Sequence, residues 1–367
     1  MMGVLMKKIP EEKLASAIVR SIENYCFQKS NTNITNPIAY RVKYFSWILM
    51  LIVFSPRMTA SSRRFITIIN PIAEKRFKKW YGNSEEFYQF ARLNDSIKKI
   101  RKNRSVLSSY SFIERLCMLY YSLCFCYRYK TSLKGYFHFG IEYYFIAYFL
   151  DNHNIDEIVF QGIFDRYNTL ISNIGKEMGI HLVAIQDGAC ISCSIPQKIY
   201  CDEMKCFDKY EEIQFRRYIA NDCKYSYIPF ESMIHWEEYN DKQKQIIAVA
   251  SQDWYTEKTI EIIDNLMKTP GIDEFEIIVF PHYREKTSQY RRIVRKYHKI
   301  VIEPTKRYYN IDVLITFYST IVYDYLSLGG NKRILCLRIP GFEPAYYNRN
   351  EVVVCETIKD LMKNISK

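Results

Sequence analysis

The sequence predicts an α/β protein with two Rossmann-like domains that face a cleft, preceded by a helical, basic N-terminal extension. Three observations support this fold class. From about residue 133 onward, apolar runs of strand length alternate with stretches of helix length. A polar, irregular stretch at 221–244 separates two such alternations. The chain has 367 residues, more than an ordinary domain, and 48% of them are hydrophobic, which is sufficient for two cores.

The first alternation occupies residues 131–225, which we expect to form the first Rossmann-like domain. An apolar helix at 141–150 precedes a strand at 155–160, an amphipathic helix at 165–178 and a buried strand at 181–185. A strand, a helix and a second strand at this spacing predict parallel pairing, because parallel strands need a long crossover connection.

The second alternation follows a linker at 226–244 and fills residues 245–367. It predicts strands at 246–250, 276–280, 299–302, 312–316 and 333–337, with helices at 256–268, 291–297 and 319–328. We expect the helix at 256–268 to be capped near Tyr255-Thr256. The interval from 312 to 337 is a complete strand–helix–strand crossover, so a parallel sheet is expected here too.

The basic excess of the chain lies entirely in its first third, within the helix-rich region 1–130. Residues 1–110 carry 20 basic and 7 acidic side chains, whereas residues 111–367 carry 32 and 33. A local excess of +13 indicates an anionic partner for this region, such as a membrane surface or an acidic acceptor. Nucleic-acid binding is disfavoured, because no stacking motif is interleaved with the basic residues.

The strongest apolar run, Tyr44 to Phe54, is too short to cross a bilayer, which needs about 20 residues as a helix. It is flanked by basic residues: Arg41, Lys43, Arg57, Arg63 and Arg64. It is therefore either a core helix or a helix that lies in the plane of an anionic membrane, and 112–129 is a second such candidate. We expect contact with an anionic membrane through residues 1–110.

The cysteines and the start of the chain indicate the compartment. No secretory signal precedes the eleven scattered cysteines, which fits a reducing cytosol. We therefore expect a cytoplasmic protein, peripheral on the inner face of the cell membrane. Cys190-x-x-Cys193, with Cys201 and Cys206 downstream, lacks a second tight knuckle, so free thiols are favoured over zinc.

Four groups of polar residues follow predicted strands, where ligands bind in open α/β sheets. They are Gln186-Asp187-Gly188, Ser251-Gln252, His282 with Arg284, and Tyr318-Ser319-Thr320. Each group alone is equally compatible with an ordinary cap, turn or surface loop.

Together the four groups fit a phosphate-bearing ligand. Ser319 and Thr320 begin a predicted helix whose free N–H groups and dipole can bind phosphate. Asp324 lies one turn into that helix, where its carboxylate can accept hydrogen bonds from a ribose. His282 and Arg284 can add a hydrogen bond and positive charge. Asp187, followed by Gly188, has the geometry of a general base, and its rivals are Asp202, Glu203 and Asp253.

The stretch from Asp312 to Leu326, which contains Tyr318-Ser319-Thr320 and Asp324, resembles the donor-phosphate motif of bacterial GT-B glycosyltransferases. It is most similar to the cell-surface polysaccharide branch with the CDP-glycerol glycerophosphotransferases and polysialyltransferase-like enzymes. Pro281-His282 is similar to that family's other donor-phosphate element. Two positions differ: Phe317 stands where the glycerophosphotransferases usually carry Asp, and Asp187 replaces the His of a His-Gly motif.

The resemblance implies a transferase that moves a sugar from a nucleotide-activated donor to a cell-surface glycan or a lipid-linked acceptor, with inversion. Donor-binding residues would lie in the C-terminal domain: Ser319, Thr320, Asp324, His282, Arg284, Ser251 and Gln252. Gln186 and Gly188 would lie on the acceptor side, and Asp187 and His282 would be catalytic. No metal or other cofactor is expected, because the helix N-terminus and cationic groups can stabilise the leaving phosphate.

Three other functions remain open from the sequence. A polyol-phosphate transferase would use the same phosphate site and break a different bond. A nucleotide-sugar epimerase would have the same fold, without need of a membrane-facing basic region. A membrane-adsorbed assembly factor would bind no nucleotide.

Overall fold

The computed structural model describes residues 10–29, 37–55, 63–67, 77, 88–89, 106–129, 137–162, 168–186, 188–192, 198–220, 222–228, 230, 232, 234–239, 244–252, 255–330 and 332–365. Within them, the α-helices in chain order are α1 (Glu11–Lys29), α2 (Pro37–Phe54), α3 (Phe112–Arg128), α4 (Phe137–Asn152), α5 (Asn168–Glu177), α6 (Lys209–Phe215), α7 (Thr256–Leu266), α8 (Arg291–Lys296), α9 (Ile321–Leu328) and α10 (Ile358–Ile365).

The strands in the same residues are β1 (Arg64–Thr67), β2 (Tyr88–Gln89), β3 (Glu157–Gln161), β4 (His181–Ile185), β5 (Ile191–Ser192), β6 (Glu203–Cys206), β7 (Lys224–Tyr227), β8 (Trp236–Glu237), β9 (Gln245–Ala250), β10 (Phe275–Phe280), β11 (Ile300–Ile302), β12 (Arg307–Tyr308), β13 (Val313–Thr316), β14 (Arg333–Leu337), β15 (Glu343–Pro344) and β16 (Val352–Cys355).

The chain divides into two compact units, and each contains one six-stranded sheet. The first unit comprises Met1–Asp187, Ile195–Cys206 and Arg216–Ser226. The second comprises Gly188–Ser194, Phe207–Phe215 and Tyr227–Lys367. The predicted α/β class with parallel sheets is confirmed.

The first unit is built on a sheet with the strand order β2-β1-β3-β4-β6-β7. The pairs β1–β2, β1–β3, β3–β4 and β4–β6 are parallel. The predicted helix α4, strand β3, helix α5 and strand β4 are confirmed, with ends that differ by a few residues. Ile66, Val159 and Val183 pack together in the core of this sheet.

The N-terminal region supplies more than helices to this unit. Its described part is helix-rich, as predicted: α2 and α3 fall on the two apolar runs, and α1 is an additional helix. It also contains β1 and β2, which the sequence pattern did not predict. β1 has four residues, too few for a visible alternation. Its register is set by pairing with β3, where Phe65 lies opposite Ile158 and Ile66 opposite Val159.

A buried arginine joins α2 to α3. Arg115 is 3% exposed and donates from Nε to the Leu107 carbonyl at 2.7 Å. Its Nη1 donates to the carbonyls of Ile52 and Ser55 at 3.1 and 2.5 Å. These two carbonyls lie at the C-terminal end of α2, where helical acceptors lack partners and cations are favoured. Burial lowers the pKa of Arg115.

None of the described helices has the length and apolar character needed to span a membrane.

The second unit is built on a sheet with the order β11-β10-β9-β13-β14-β16, in which all neighbouring pairs are parallel. Counted along the chain, this order is 3-2-1-4-5-6, that of a Rossmann fold. All five strands predicted for this half are confirmed, whereas β16 and α10 were not predicted. Val249, Val279 and Ile315 are fully buried on adjacent strands of this sheet.

The segment expected to be a linker, 226–244, contains a short strand. β8 pairs in parallel with β12, with Trp236 opposite Arg307. The Trp236 ring meets the Tyr325 ring edge-on at 5.0 Å. Aromatic packing against α9 therefore orders a stretch that its polar composition had marked as irregular.

Candidate functional site

Three neighbouring strands of the second sheet end in loops that carry predicted ligand-binding residues. β10, β9 and β13 lie side by side, and they are followed by His282, Ser251 and Ser319, respectively. The strand order reverses between β9 and β13, where Ile315 pairs with Val249. In open parallel sheets, the loops beside such a reversal leave in opposite directions and open a crevice for ligand. The candidate site is this edge of the second unit.

Ser319 and Thr320 immediately precede α9, rather than forming its first turn. The Ser319 Oγ accepts a hydrogen bond from the Ile321 N–H at 3.3 Å. Thr320 occupies the N-cap position without a side-chain cap hydrogen bond. Both residues are half-buried. The N–H groups of Ile321, Val322 and Tyr323 have acceptors in Ser319 and Thr320. The start of α9 thus combines the positive end of a helix dipole with two half-buried hydroxyl groups, which is an arrangement suited to phosphate oxygens.

Gly188 lies next to this helix start. A Cβ atom added to Gly188 would be 3.4 Å from Thr320 Cγ2. We expected Gly188 on the acceptor side in the first domain, but it is grouped with the second unit. Gly188 is therefore close to Thr320 at the start of α9.

Asp324 lies in the first turn of α9 and is 8% exposed. Burial lowers the pKa of Arg307, and the nearby negative charge of Asp324 opposes this lowering. Arg307 also donates to the Lys306 carbonyl at 2.7 Å and lies over the Phe280 ring at 4.7 Å. No sequence motif marks this cation.

Glu285 organises the loop that carries His282. Its Oε2 accepts a hydrogen bond from the His282 N–H at 2.7 Å, and the His282 carbonyl accepts from the Glu285 N–H at 2.8 Å. The Arg284 N–H donates to His282 Nδ1 at 3.4 Å. Arg284 is exposed, whereas His282 is half-buried. The loop therefore presents one imidazole and one guanidinium from a fixed backbone.

The same carboxylate holds the loop after β9. Glu285 Oε1 accepts from Ser251 Oγ at 3.0 Å and from Thr256 Oγ1. Ser251 also shares a hydrogen bond of 2.8 Å with Thr259 and is 3% exposed, and Gln252 is 9% exposed. Ser251 thus positions neighbouring loops. The N-cap of α7 is Tyr255, at the predicted place, but Tyr255 makes no side-chain cap hydrogen bond, and the Thr256 hydroxyl bonds to Glu285.

Aromatic rings surround the end of β13. The Tyr318 ring stacks on Phe342 at 4.9 Å and meets Tyr255 edge-on at 5.7 Å. Phe317, the position at which the glycerophosphotransferases usually carry Asp, is fully buried, and its carbonyl accepts from Tyr347 at 3.0 Å. Phe317 is a core residue, so its side chain is withdrawn from the site.

A buried carboxylate, that of Glu211, contacts α9. Glu211 is fully buried; it accepts from the Tyr323 hydroxyl and from the Cys190 N–H at 2.9 Å. Arg349 pairs with Asp208 and lies 5.6 Å from the centre of the Tyr323 ring. Burial together with the charge of Glu211 raises the pKa of Tyr323. This network links the segment after Gly188 to α9, and no sequence motif marked it.

The structure describes only some of the residues that were predicted to bind the acceptor or to act as the base. Asp187 and Asp253 lie outside the described residues. Gln186 is 1% exposed, and its N–H donates to the Lys205 carbonyl at 2.9 Å. Asp202, a rival base, precedes β6 and accepts from the Leu182 N–H at 2.7 Å near the start of β4. It therefore lies at the amino edge of a parallel sheet, the wrong edge for that role.

Glu203, another rival base, begins β6 at the same amino edge of the first sheet. It pairs with Lys205 at 2.8 Å and accepts from Ser226 at 2.8 Å. Burial is the largest single influence on the pKa of Glu203 and raises it. The hydrogen bonds from Lys205 and Ser226 together outweigh burial and hold this pKa below its ordinary value.

The cysteines that the structure describes are free thiols. Cys193 lies outside the described residues, so the Cys190-x-x-Cys193 pair is not placed. Cys190 is 1% exposed, and Cys201 lies 3.4 Å from Cys223, measured between Sγ atoms. Among the described residues, no group of three or more His, Cys, Asp or Glu side chains is arranged to hold a metal ion.

Comparison with known proteins gives distant structural likeness only. No family model and no curated protein matches the sequence. The chain is similar to a putative UDP-N-acetylglucosamine 2-epimerase from Listeria monocytogenes, with 8% identity and a TM-score of 0.48, over 83% of this chain and 87% of that one. It is also similar to the lipopolysaccharide outer core galactosyltransferase WaaB, with 12% identity and a TM-score of 0.43, over 82% and 88%.

A third similar structure is S. aureus MnaA in complex with UDP. The identity is 13% and the TM-score 0.42, over 58% of this chain and 65% of that one. Against several longer solved chains, the alignment spans only 46–47% of their length.

We predict that Glu285→Ala lowers the free energy of unfolding by about 2–3 kcal/mol, because it leaves half-buried and buried donors without their acceptor. Glu257→Ala, which removes an exposed carboxylate from the first turn of α7, should cost less than about 1 kcal/mol. Urea unfolding of both variants measures the difference. Equal losses in the two variants would contradict the organising role of Glu285.

Proposed function

We propose that this chain is a glycosyltransferase of the GT-B type, which moves a sugar from a nucleotide-activated donor to a cell-surface glycan or lipid-linked acceptor. The donor nucleotide binds at the carboxyl edge of the second sheet. Ser319, Thr320, His282 and Arg284 contact its phosphates. The reaction proceeds by a single inverting displacement, without a metal ion.

The observation that carries the proposal is the position of the strand reversal in the second sheet. It falls between β9 and β13, and the loops on either side bear Ser251 and the Ser319-Thr320 pair. The next strand, β10, ends at Phe280, just before the His282 loop. A nucleotide in this crevice would have its phosphates at the start of α9 and the cationic loop beside them.

The charges of this edge suit a departing phosphate. Negative charge that develops on the leaving oxygen is stabilised by preorganised donors and dipoles. The start of α9 supplies the positive end of the helix dipole together with the Ser319 and Thr320 hydroxyls, and Arg284 supplies a permanent charge. His282 can donate a hydrogen bond from its ring. Asp187 remains the proposed base that takes the proton of the acceptor hydroxyl.

Two helices of the first unit support a membrane-bound acceptor. α2 buries Trp47, Ile48, Leu51 and Ile52, yet its opposite face is apolar and exposed, with Val42, Phe45, Leu49 and Val53 at helical spacing. α3 likewise exposes Phe112, Ile113, Leu116 and Tyr120. A surface helix of a soluble domain usually has a polar outer face, whereas an interfacial helix has an apolar one. One face of α2 therefore packs in the protein core, and the opposite face has the apolar character that contact with a membrane would require.

Some of the flanking arginines already have partners. Arg63 pairs with Asp156 at 2.5 Å, and Arg64 pairs with Glu157 at 3.3 Å. Arg57 and the side chains of Arg41 and Lys43 lie outside the described residues. The exposed apolar face of α2 is thus the better target for testing membrane contact.

We predict that Ser319→Ala combined with Thr320→Ala weakens nucleotide binding by about two orders of magnitude, because two charge-assisted hydrogen bonds to phosphate are lost. Titration calorimetry with UDP, CDP, GDP, TDP and CMP measures the dissociation constants. Thr287→Ala with Ser288→Ala removes the same atoms from an exposed turn and serves as the control. Unchanged affinity of the Ser319, Thr320 variant for every nucleotide would rule out this donor site.

We predict that Leu49→Ser with Val53→Ser reduces partitioning onto vesicles that contain anionic lipid by about tenfold, because both exposed side chains would be buried in the interface. Sedimentation with vesicles measures the bound fraction. The matched control is Ile213→Ser with Val353→Ser, two exposed apolar residues of the second unit. A similar bound fraction for both variants would show that α2 does not contact the membrane.

A further inference from the structure

A basic cavity of about 480 Å³ opens in the first unit between α1 and α5. From α1 it is lined by Lys13, Ser16, Ala17 and Arg20, whose spacings of three and four place them on one helix face. Ser16 and Ala17 are small side chains in the middle of that face. The space between the two helices is therefore open at its centre and edged by long cationic side chains.

Positive charge dominates the walls of this cavity. Four cations line it, namely Lys13, Arg20, Lys176 and Lys198, against the single carboxylate of Glu177. Glu177 is paired with Lys13 at 2.7 Å. Arg20 and Lys198 make no ion pair with a described residue. Like charges gathered in one place oppose folding, so an anion that neutralises them would be favoured here.

The wall opposite α1 is held in place by hydrogen bonds. The Tyr200 N–H donates to Ser172 Oγ on α5, and Lys176 Nζ lies 3.5 Å from the centre of the Tyr200 ring. Ile199 bridges to Ile219, and its carbonyl accepts from the Ala220 N–H at 2.8 Å. Lys198 directly precedes these two hydrogen-bonded residues, which place its backbone beside the cavity.

A second cavity of about 370 Å³ shares Lys176 and Tyr200 with the first. It contains His181 and Asp202, whose ring nitrogen and carboxylate oxygen are 3.6 Å apart. These polar groups can hydrogen-bond to hydroxyls. Together the two cavities offer a cationic part for an anion and a polar part for a group attached to it.

We propose that the cavity between α1 and α5 binds a phosphate-bearing anion with two or more negative charges, such as a diphosphate or a phosphorylated sugar. Its size lies in the range of small-molecule sites, about 300–1,000 Å³. The guanidinium of Arg20 offers paired donors that match phosphate oxygens, and the lysines add point charges. The site shares no residue with the proposed donor site and stands independently of it.

The test is a titration with inorganic pyrophosphate. Because pyrophosphate can also enter the proposed nucleotide site, all proteins carry Ser319→Ala and Thr320→Ala. The test variant adds Arg20→Glu and Lys198→Glu. The control adds Arg292→Glu and Lys359→Glu, which change the net charge equally at two exposed positions of the second unit. All four side chains are exposed, so the melting temperatures should agree.

We expect the test variant to bind pyrophosphate at least about tenfold more weakly than the control, since two charge-assisted contacts become repulsive. In the protein that carries only Ser319→Ala and Thr320→Ala, pyrophosphate should also protect Lys176 and Lys198 from amine acetylation, as measured by mass spectrometry. Equal affinity in the test and control variants, with no such protection, would overturn the proposal. Nucleotide titration of a chain that carries Arg20→Glu and Lys198→Glu, with Ser319 and Thr320 intact, tests the proposed function separately.

Vesicles of phosphatidylcholine with phosphatidic acid distinguish the two sources of phosphate. If the test variant binds them more weakly than the control and pyrophosphate competes, the ligand is a lipid headgroup. If only pyrophosphate binding depends on Arg20 and Lys198, the ligand is a soluble phosphate compound. If neither ligand distinguishes the variants, the cavity is not an anion site.

Discussion

Parallel pairing of β9 with both β10 and β13 is the constraint on which the candidate site depends. Because all three strands run in the same direction, the loops after them must emerge at one edge of the second sheet. The chain adds later strands first on one side of β9 and then on the other. This reversal separates the loops after β9 and β13, and the space between them is where phosphate ligands enter folds of this type.

Two carboxylates hold the loops at this edge of the sheet in place by accepting hydrogen bonds from them. Glu285 joins the loop after β10 to the loop after β9 and to the start of α7. Glu211 joins Tyr323 of α9 to the backbone at Cys190, two residues beyond Gly188. Buried or half-buried carboxylates persist only when several donors satisfy them. Both act as positioning groups: most of their partners are buried, and the half-buried His282 is held by its backbone, which leaves its ring at the surface of the site.

The sequence was sufficient to predict five of the six strands of the second sheet, because they are apolar runs such as 246–250 and 333–337, and the edge strand β16 was missed. It also located the loops that carry His282 and Ser319. It did not predict β1 or β2, whose few residues show no period and gain their place by pairing with β3. The part played by β8 also escaped prediction, since a two-residue strand held by Trp236 resembles a linker in composition.

Long-range polar partners account for the other differences. Glu285 and Arg307 are ordinary charged residues in the sequence, and only the fold brings them to Ser251 and Asp324. Ser251 was predicted to bind the donor, yet its hydroxyl is used within the protein. The basic cavity escaped prediction for the same reason, because Lys13 and Arg20 meet Lys176 and Lys198 only after α1 packs beside α5.

The proposed nucleotide site at the carboxyl edge of the second sheet can be tested by hydrogen–deuterium exchange of the full chain, measured with and without a saturating nucleotide. Bound nucleotide should slow amide exchange in the segments 281–286 and 318–323, where the loops after β10 and β13 would contact it. Protection confined to other segments, or unchanged exchange with UDP, CDP, GDP, TDP and CMP, would contradict it.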